Sequence, residues 1–295
     1  MALVSTPEER FEDLPGYDYD PEYVSVGDPE MAYLDEGEGE ETFLCLHGEP
    51  TWSYLYRKML PKLAERGRVV VPDYVGFGRS EKYTEMDDYS FSRYREWTRA
   101  FVEELDLTDV TLVCQDWGGI LGLRAVADMP ERFARVVPMN TGMPDGTQEM
   151  SDAWWEFRNF VAETEDIPIG MLIQNACATD LPEDVVAAYE APFHDAASKA
   201  GARAWPLLVP TNTEDDGAAA MAEVREFFSE EWEKPAFVLF SDSDPITGDA
   251  RTPMRELIAT AEEQPDVWVE GGGHFLQEDR GEAVAEHVLS FVDRT

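Results

Sequence analysis

The sequence predicts an α/β fold: a mostly parallel sheet flanked by helices, with a helical segment inserted late in the chain. Three observations carry this. Short apolar runs rich in β-branched residues, such as Arg68 to Pro72 and Val110 to Cys114, alternate with stretches of helical periodicity. A tight motif, Cys114-Gln115-Asp116-Trp117-Gly118, joins one such run to the helix that follows it. The alternation stops from Gly142 to about Thr211, where the pattern is helical throughout, and resumes with a strand at Ala236.

Taken in order, residues 1 to 30 are polar, proline-containing and dotted with aromatic residues, and are expected to wrap the surface. Met31 to Leu34 and Phe43 to Leu46 read as strands, and His47-Gly48-Glu49-Pro50-Thr51-Trp52 follows. Ser53 to Arg66 reads as one helix, Arg68 to Pro72 as a buried strand, and Asp73 to Ser80 as a turn-rich loop. The glycine pair in that loop does not suggest a phosphate site, since no Lys-Ser/Thr follows and no helix begins at once. Ser90 to Leu105 is amphipathic at 3.6 spacing, with Trp97 and Phe101 on its core side. Gly118 to Met129 is a helix that Pro130 stops, and Ala134 to Met139 is the next strand. The inserted segment holds helices at Met150 to Ala162 and near Pro182 to Tyr189, and 212 to 217 is a polar linker back. Met221 to Trp232 is a helix, Ala236 to Ser241 and Asp266 to Glu270 are strands, and Gly281 to Val292 is the final helix. The expected division is a core of residues 1–142 and 212–295 and a helical cap of 143–211.

The chain of 295 residues is long enough to bury a substantial core. Its net charge is −39, from 62 acidic and 23 basic residues, and lysine occurs only at positions 58, 62, 82, 199 and 234. Such a surface is a poor partner for nucleic acid or anionic membranes. A disordered acidic chain is excluded by 43% hydrophobic and 12% aromatic content. The spread of acid without a discrete tail suggests a protein adapted to a salt-rich cytoplasm, where screening relieves self-repulsion. No long apolar stretch suggests a membrane span, and the acidic N-terminus does not read as a signal peptide, so a cytoplasmic protein is expected. Cys45, Cys114 and Cys177 lack metal-ligand spacing and are expected to be reduced thiols.

The 114–118 motif has the shape of a nucleophile elbow, a strained strand-to-helix turn that exposes its central side chain above a sheet, as in α/β-hydrolases. Its usual tip is serine; here it is Asp116. A carboxylate is already ionised at neutral pH and can displace a good leaving group from an sp3 carbon, giving an alkyl ester. Cleaving that ester needs a water, a base and a group that orients the base. Asp244 follows the strand at Ala236, and His274 lies on the glycine-rich loop after the last strand. The order Asp116, Asp244, His274 is nucleophile, acid, base. Trp117, next to the tip, offers an indole N–H that can only donate and so can hold a departing anion. The backbone N–H groups of Trp117 and of the Glu49 loop are the expected oxyanion donors. Glu49 and Trp52 are candidates for the pocket floor, and His47 is expected to be structural.

Together, CQDWGG, LHGEPTWSYLYR, VVPDYVGFGRSEK, APFHDAASKAGARAWP and GGGHFLQED resemble a haloalkane dehalogenase, in particular the subfamily whose catalytic acid follows the strand after the cap. The resemblance spans nearly the whole chain. It implies that Asp116 is the nucleophile, His274 the base and Asp244 the acid. Asp242 competes with Asp244, but the family spacing Asp-x-x-x-Gly fits Asp244 to Gly248. It also implies two halide-binding tryptophans, Trp117 and one from the cap. The Ala153-Trp154 pair matches the cap tryptophan, and the adjacent Trp155 should turn away by about 100°. The reaction implied takes a small halogenated alkane to an alcohol, a halide ion and a proton, without metal or organic cofactor; oligomeric state stays open. The rivals of the same fold are an epoxide hydrolase, which needs cap tyrosines where this segment has only Tyr189, and a haloacid dehalogenase, which needs an arginine where Trp117 stands.

Overall fold

The computed structural model describes residues 2–295. In chain order the strands are β1 (Leu3–Val4), β2 (Glu22–Ser25), β3 (Glu30–Glu36), β4 (Glu41–Leu46), β5 (Gly67–Pro72), β6 (Lys82–Tyr83), β7 (Val110–Gln115), β8 (Phe133–Met139), β9 (Phe240–Ser241) and β10 (Trp268–Val269). The helices are α1 (Leu60–Ala64), α2 (Phe91–Glu104), α3 (Trp117–Asp128), α4 (Asp152–Glu163), α5 (Ile169–Ala176), α6 (Glu183–Glu190), α7 (Ala200–Leu208), α8 (Ala218–Glu230), α9 (Arg251–Leu257) and α10 (Leu276–Val292).

The main sheet has the order β2-β3-β5-β4-β7-β8. The pairs β5·β4, β4·β7 and β7·β8 are parallel, and β2·β3 and β3·β5 are antiparallel. Parallel bridges Val136↔Ala236 and Met139↔Leu239 carry the pleat past β8 to the segment that ends in β9, which pairs in parallel with β10. Every residue of β7 is buried, as expected for a parallel strand with helices on both faces. The chain belongs to the α/β class with a mostly parallel sheet, as its sequence pattern predicts. Between Met139 and Phe240 no strand occurs among the described residues, and α4 to α8 fill the gap.

Several elements depart from the sequence reading. Residues 1 to 30 do more than wrap the surface. β2 forms an edge of the main sheet, and the arm also grips the inserted segment, with Thr6 Oγ1 donating to Pro192 O at 2.6 Å and Arg10 Nε to Ala191 O at 2.7 Å. The single helix expected over 53–66 is a 3-10 turn at Ser53–Tyr56 followed by α1, because Pro61 has no N–H to continue a helix and belongs in a first turn. The 236–241 run has full strand pairing only at its end, and 266–270 only at Trp268–Val269. The last helix begins at Leu276, five residues early, with non-helical geometry at Arg280 marking two segments. The inserted segment contains α5 and α7 besides the two expected helices. No helix among the described residues is long and apolar enough to cross a membrane.

Candidate active site

The reacting end of the site is built where β7 meets α3. Asp116 sits between them at φ +51°, ψ −122°, outside the regions that L-residues favour. The turn can be that sharp because its neighbours are glycines. A Cβ on Gly118 would lie 2.2 Å from Leu46 O, and one on Gly48 would lie 2.4 Å from Asp116 Cβ. Asp116 N donates to Asn140 O at 3.2 Å, and Thr141 Oγ1 donates to Asp116 O at 2.7 Å, so the end of β8 braces the elbow.

The carboxyl group is differentiated. Glu49 N donates to Asp116 Oδ1 at 2.7 Å, while Oδ2 lies 3.7 Å from His274 Nε2. Burial lifts the Asp116 carboxyl above its ordinary range, and His274 with the backbone N–H groups of Glu49 and Trp117 opposes that shift. Glu49 itself is buried, with neither carboxylate oxygen partnered among the described residues. Burial first, and then the Asp116 charge, hold it well above the usual carboxylate range.

His274 stands on the loop between β10 and α10. Its Nδ1 is 3.0 Å from Asp244 Oδ1. Asp244 is held by Ile246 N at 2.9 Å and by the Thr247 hydroxyl on its other oxygen. Burial alone would raise Asp244, but His274 and these donors bring it below its ordinary value, so it is ionised. The two carboxylates facing the ring outweigh burial and raise His274. Asp242, the competitor of Asp244, is exposed and accepts from Gly271 N at 2.9 Å, away from the ring.

Trp117 stacks on Trp205 at 5.2 Å and 13°, which fixes its indole plane. Trp154 is 5% exposed, whereas Trp155 is 38% exposed and packs against it edge-on. Ser151 caps α4 by accepting from Trp154 N at 3.1 Å, and this sets the helix phase that turns Trp154 inward. A chamber of about 70 Å³ is lined by Asp116, Trp117, Trp154, His274 and Glu49. Among the described residues neither indole N–H donates to a protein acceptor. A second cavity of about 240 Å³ also reaches Asp116 and Trp154, between mostly apolar walls such as Ile120, Met143 and Leu257. The arrangement suits in-line attack by a carboxylate on an apolar molecule whose departing anion meets two indole donors.

Trp52 does not line either cavity; its indole donates to Ala188 O at 3.3 Å within an aromatic cluster. His47 is buried and neutral, lowered to about 4 by burial, and its Nε2 accepts from Tyr74 N. Tyr189 donates to Glu278 at 2.6 Å, outside both cavities, where it cannot serve an opening epoxide. The sequence reading missed two residues. Asn140 Nδ2 donates to the carbonyls of Gly273 and His274, both at 3.0 Å, and ties the histidine loop to β8. Gln115 Nε2 lies 3.1 Å from His274 Nε2. The only available signal was a polar residue at the buried end of a strand, which asks for partners that sequence alone does not name.

The chain has relatives among known proteins. Residues 41–281 match the family model for the alpha/beta hydrolase fold. A haloalkane dehalogenase of Psychrobacter cryohalolentis is 43% identical over 299 residues, covering 99% of this chain and 98% of that protein. Haloalkane dehalogenase 1 of Mycobacterium bovis is 42% identical and covers 100% of both chains. The tetrameric structure of the haloalkane dehalogenase DpaA from Paraglaciecola agarilytica superposes with a TM-score of 0.90 at 37% identity, over 98% of both chains.

Proposed function

The chain belongs to the haloalkane dehalogenases of the α/β-hydrolase family, and from that premise we propose how its own residues carry out hydrolytic dehalogenation. The enzyme converts a haloalkane and water to an alcohol, a halide ion and a proton. Asp116 Oδ2 attacks the halogen-bearing carbon, forming a carbon–oxygen bond as the carbon–halogen bond breaks. The halide departs between the indole N–H groups of Trp117 and Trp154. A water then gives its proton to neutral His274 and attacks the carbonyl carbon of the Asp116 ester. The negative charge that develops on Oδ1 is received by the backbone N–H of Glu49 and of Trp117. Collapse of the intermediate releases the alcohol and restores the Asp116 carboxylate; the proton on His274 passes to solvent. Asp244 keeps the Nδ1 proton in place and stabilises the transient imidazolium.

The observation that carries this reading is the division of labour on Asp116: Oδ1 is bonded to the Glu49 N–H at 2.7 Å while Oδ2 faces His274 at 3.7 Å. One oxygen is thereby positioned as the ester carbonyl and the other as the nucleophile. Residues 143–211 act as the cap that closes the site, supplies Trp154 and keeps it dry, so that the carboxylate meets its substrate stripped of water. The protein works as a cytoplasmic enzyme on a neutral, apolar small molecule, not on nucleic acid or at a membrane. The larger cavity, about 240 Å³ against about 70 Å³ for the chamber, favours a chain longer than two carbons. Bromide release from 1-bromohexane and 1,2-dibromoethane, with Asp116→Ala alongside, tests the reading. The expected result is faster turnover of 1-bromohexane and none in the variant. Equal release by the Asp116→Ala protein would overturn it.

A further inference from the structure

Gln115 ends β7, one residue before the nucleophile, and is fully buried. Its amide nitrogen lies 3.1 Å from His274 Nε2 and 3.3 Å from the His274 carbonyl oxygen. A carbonyl oxygen can only accept, so it decides which end of the amide faces the histidine: the nitrogen. With the Nδ1 proton given to Asp244, the neutral ring carries its lone pair on Nε2, and Gln115 donates to it. In the imidazolium, Nε2 carries a proton, and the amide would meet it donor against donor.

We propose that Gln115 is a positioning residue that holds His274 in the neutral, Nδ1-protonated form needed to hydrolyse the alkyl ester. The inference rests on the assignment of Asp116 and His274 given above. The charged groups facing the ring explain why such a device is needed. Asp244 approaches from the loop after β9, and Asp116 Oδ2 from the elbow; Glu49, on the loop after β4, is held well above the usual carboxylate range by burial and the Asp116 charge. Both carboxylates favour the imidazolium, which has no lone pair and cannot act as a base. Burial opposes them, and among the described residues the Gln115 N–H is the one directed contact on Nε2 that does the same. Alkylation of Asp116 removes one of the two charges. A water can then take the place of the amide at Nε2, give up its proton there and attack the ester. The returning amide N–H, facing Nε2–H, favours loss of that proton and resets the base. The amide oxygen of Gln115 is buried without a partner among the described residues, a cost that the two contacts of the nitrogen offset.

The test separates the two chemical steps. Rapid mixing with 1-bromohexane gives a bromide burst that reports alkylation, and decay of the alkyl-enzyme reports hydrolysis. Both are followed against pH in the native enzyme and in Gln115→Met and Gln115→Leu, two shapes that fill the space without a donor. The account expects the acid limb of the hydrolysis rate to move upward by roughly one pH unit in both, about a tenfold change in the protonation equilibrium. The alkyl-enzyme would accumulate at pH values where the native enzyme turns over freely. A purely packing role would slow the variants without moving the limb. A limb that stays in place, or moves downward, in either variant that retains a native near-UV dichroism spectrum overturns the inference. If a His274→Gln protein, which cannot hydrolyse the ester, forms no adduct on Asp116, the assignment of Asp116 fails, and not the role of Gln115.

Discussion

Two helices meet at the chamber, and they differ in almost everything else. In α3, which begins at the elbow, ten of its twelve residues are buried, from Trp117 to Val126. In α4, which supplies the other tryptophan, only Trp154 and Val161 are buried in twelve residues. The first is packed into the sheet, where a methyl group has no room: a Cβ on Gly119 would lie 2.2 Å from Thr141 Oγ1. The second presents Trp155 and Phe160 to solvent at 38% and 41% exposure. The α3 side therefore holds Asp116 and its neighbours through backbone and close packing, while the α4 side contributes one indole and part of the wall of the larger cavity. Changes on the α3 side should destroy chemistry or fold; changes on the α4 side should tune them.

The sharpest of these contrasts is on the core side. Asp244→Asn keeps the shape but removes the ionised partner of His274 Nδ1. It should lower turnover by about 10²–10⁴-fold, the range in which a disabled general base and its orienter fall. The pH dependence carries a sign. Asp244 raises His274, and in the alkyl-enzyme it does so without the Asp116 charge; hydrolysis needs the neutral ring, so the rate rises as pH climbs through the ring's value in that state. Removing Asp244 should move the acid limb to lower pH in the residual activity, opposite to the shift expected at Gln115. A limb that moves upward would break the account of the base.

Gly118→Ala asks whether the elbow is as tightly packed as its geometry indicates. The added Cβ would lie 2.2 Å from Leu46 O and 2.6 Å from His47 O, both backbone atoms that cannot yield cheaply. A loss of about 1–3 kcal/mol or more is expected, read as a lower midpoint in thermal or urea unfolding. On the cap side, Phe160→Ser should stay within about 0.5 kcal/mol of the native protein, because that side chain already faces solvent. Similar midpoints for the two variants would erase the difference drawn between the helices.

Trp154→Phe should weaken kcat/KM by about 10–100-fold, the range for one lost hydrogen bond to a charged group, with a greater loss for chloroalkanes than for bromoalkanes. Bromide binding, followed by tryptophan fluorescence, should weaken alongside. Trp155→Phe serves as the neighbour that points away and should change neither. Equal effects at the two positions would mean that α4 does not set which tryptophan meets the halide.

The same contrast governs what was legible in the sequence. The elbow, the order of Asp116, Asp244 and His274, and the buried strands were readable because each is a local signal: a β-branched run, a small-x-Asp-x-small turn, a loop of three glycines before a histidine. Gln115 and Asn140 were not, because their partners lie far along the chain. Gln115 Nε2 meets a ring 159 residues away, and Asn140 Nδ2 meets a carbonyl 133 residues away. In the inserted segment, α5 and α7 were missed. Their apolar faces contact other parts of this molecule and not a repeating core, and α7 contains Pro206, which argues against a helix on local rules. The choice of Trp154 over Trp155 rested on family resemblance, and the cap at Ser151 supplies a local reason for it. The expectation of one helix over 53–66 failed because Pro61, which lacks the N–H that would continue a helix, sits in a new first turn.

The account's central claim is a covalent Asp116 ester cleaved by water that His274 activates. The most direct measurement is the intact mass of a His274→Gln protein after mixing with 1-bromohexane, followed by mapping of the modified peptide. The account predicts prompt bromide release limited to about one equivalent. It also predicts a persistent hexyl adduct on the peptide that contains Asp116, because attack needs no base and hydrolysis does. Steady bromide release without an adduct, or an adduct on any other residue, would contradict it.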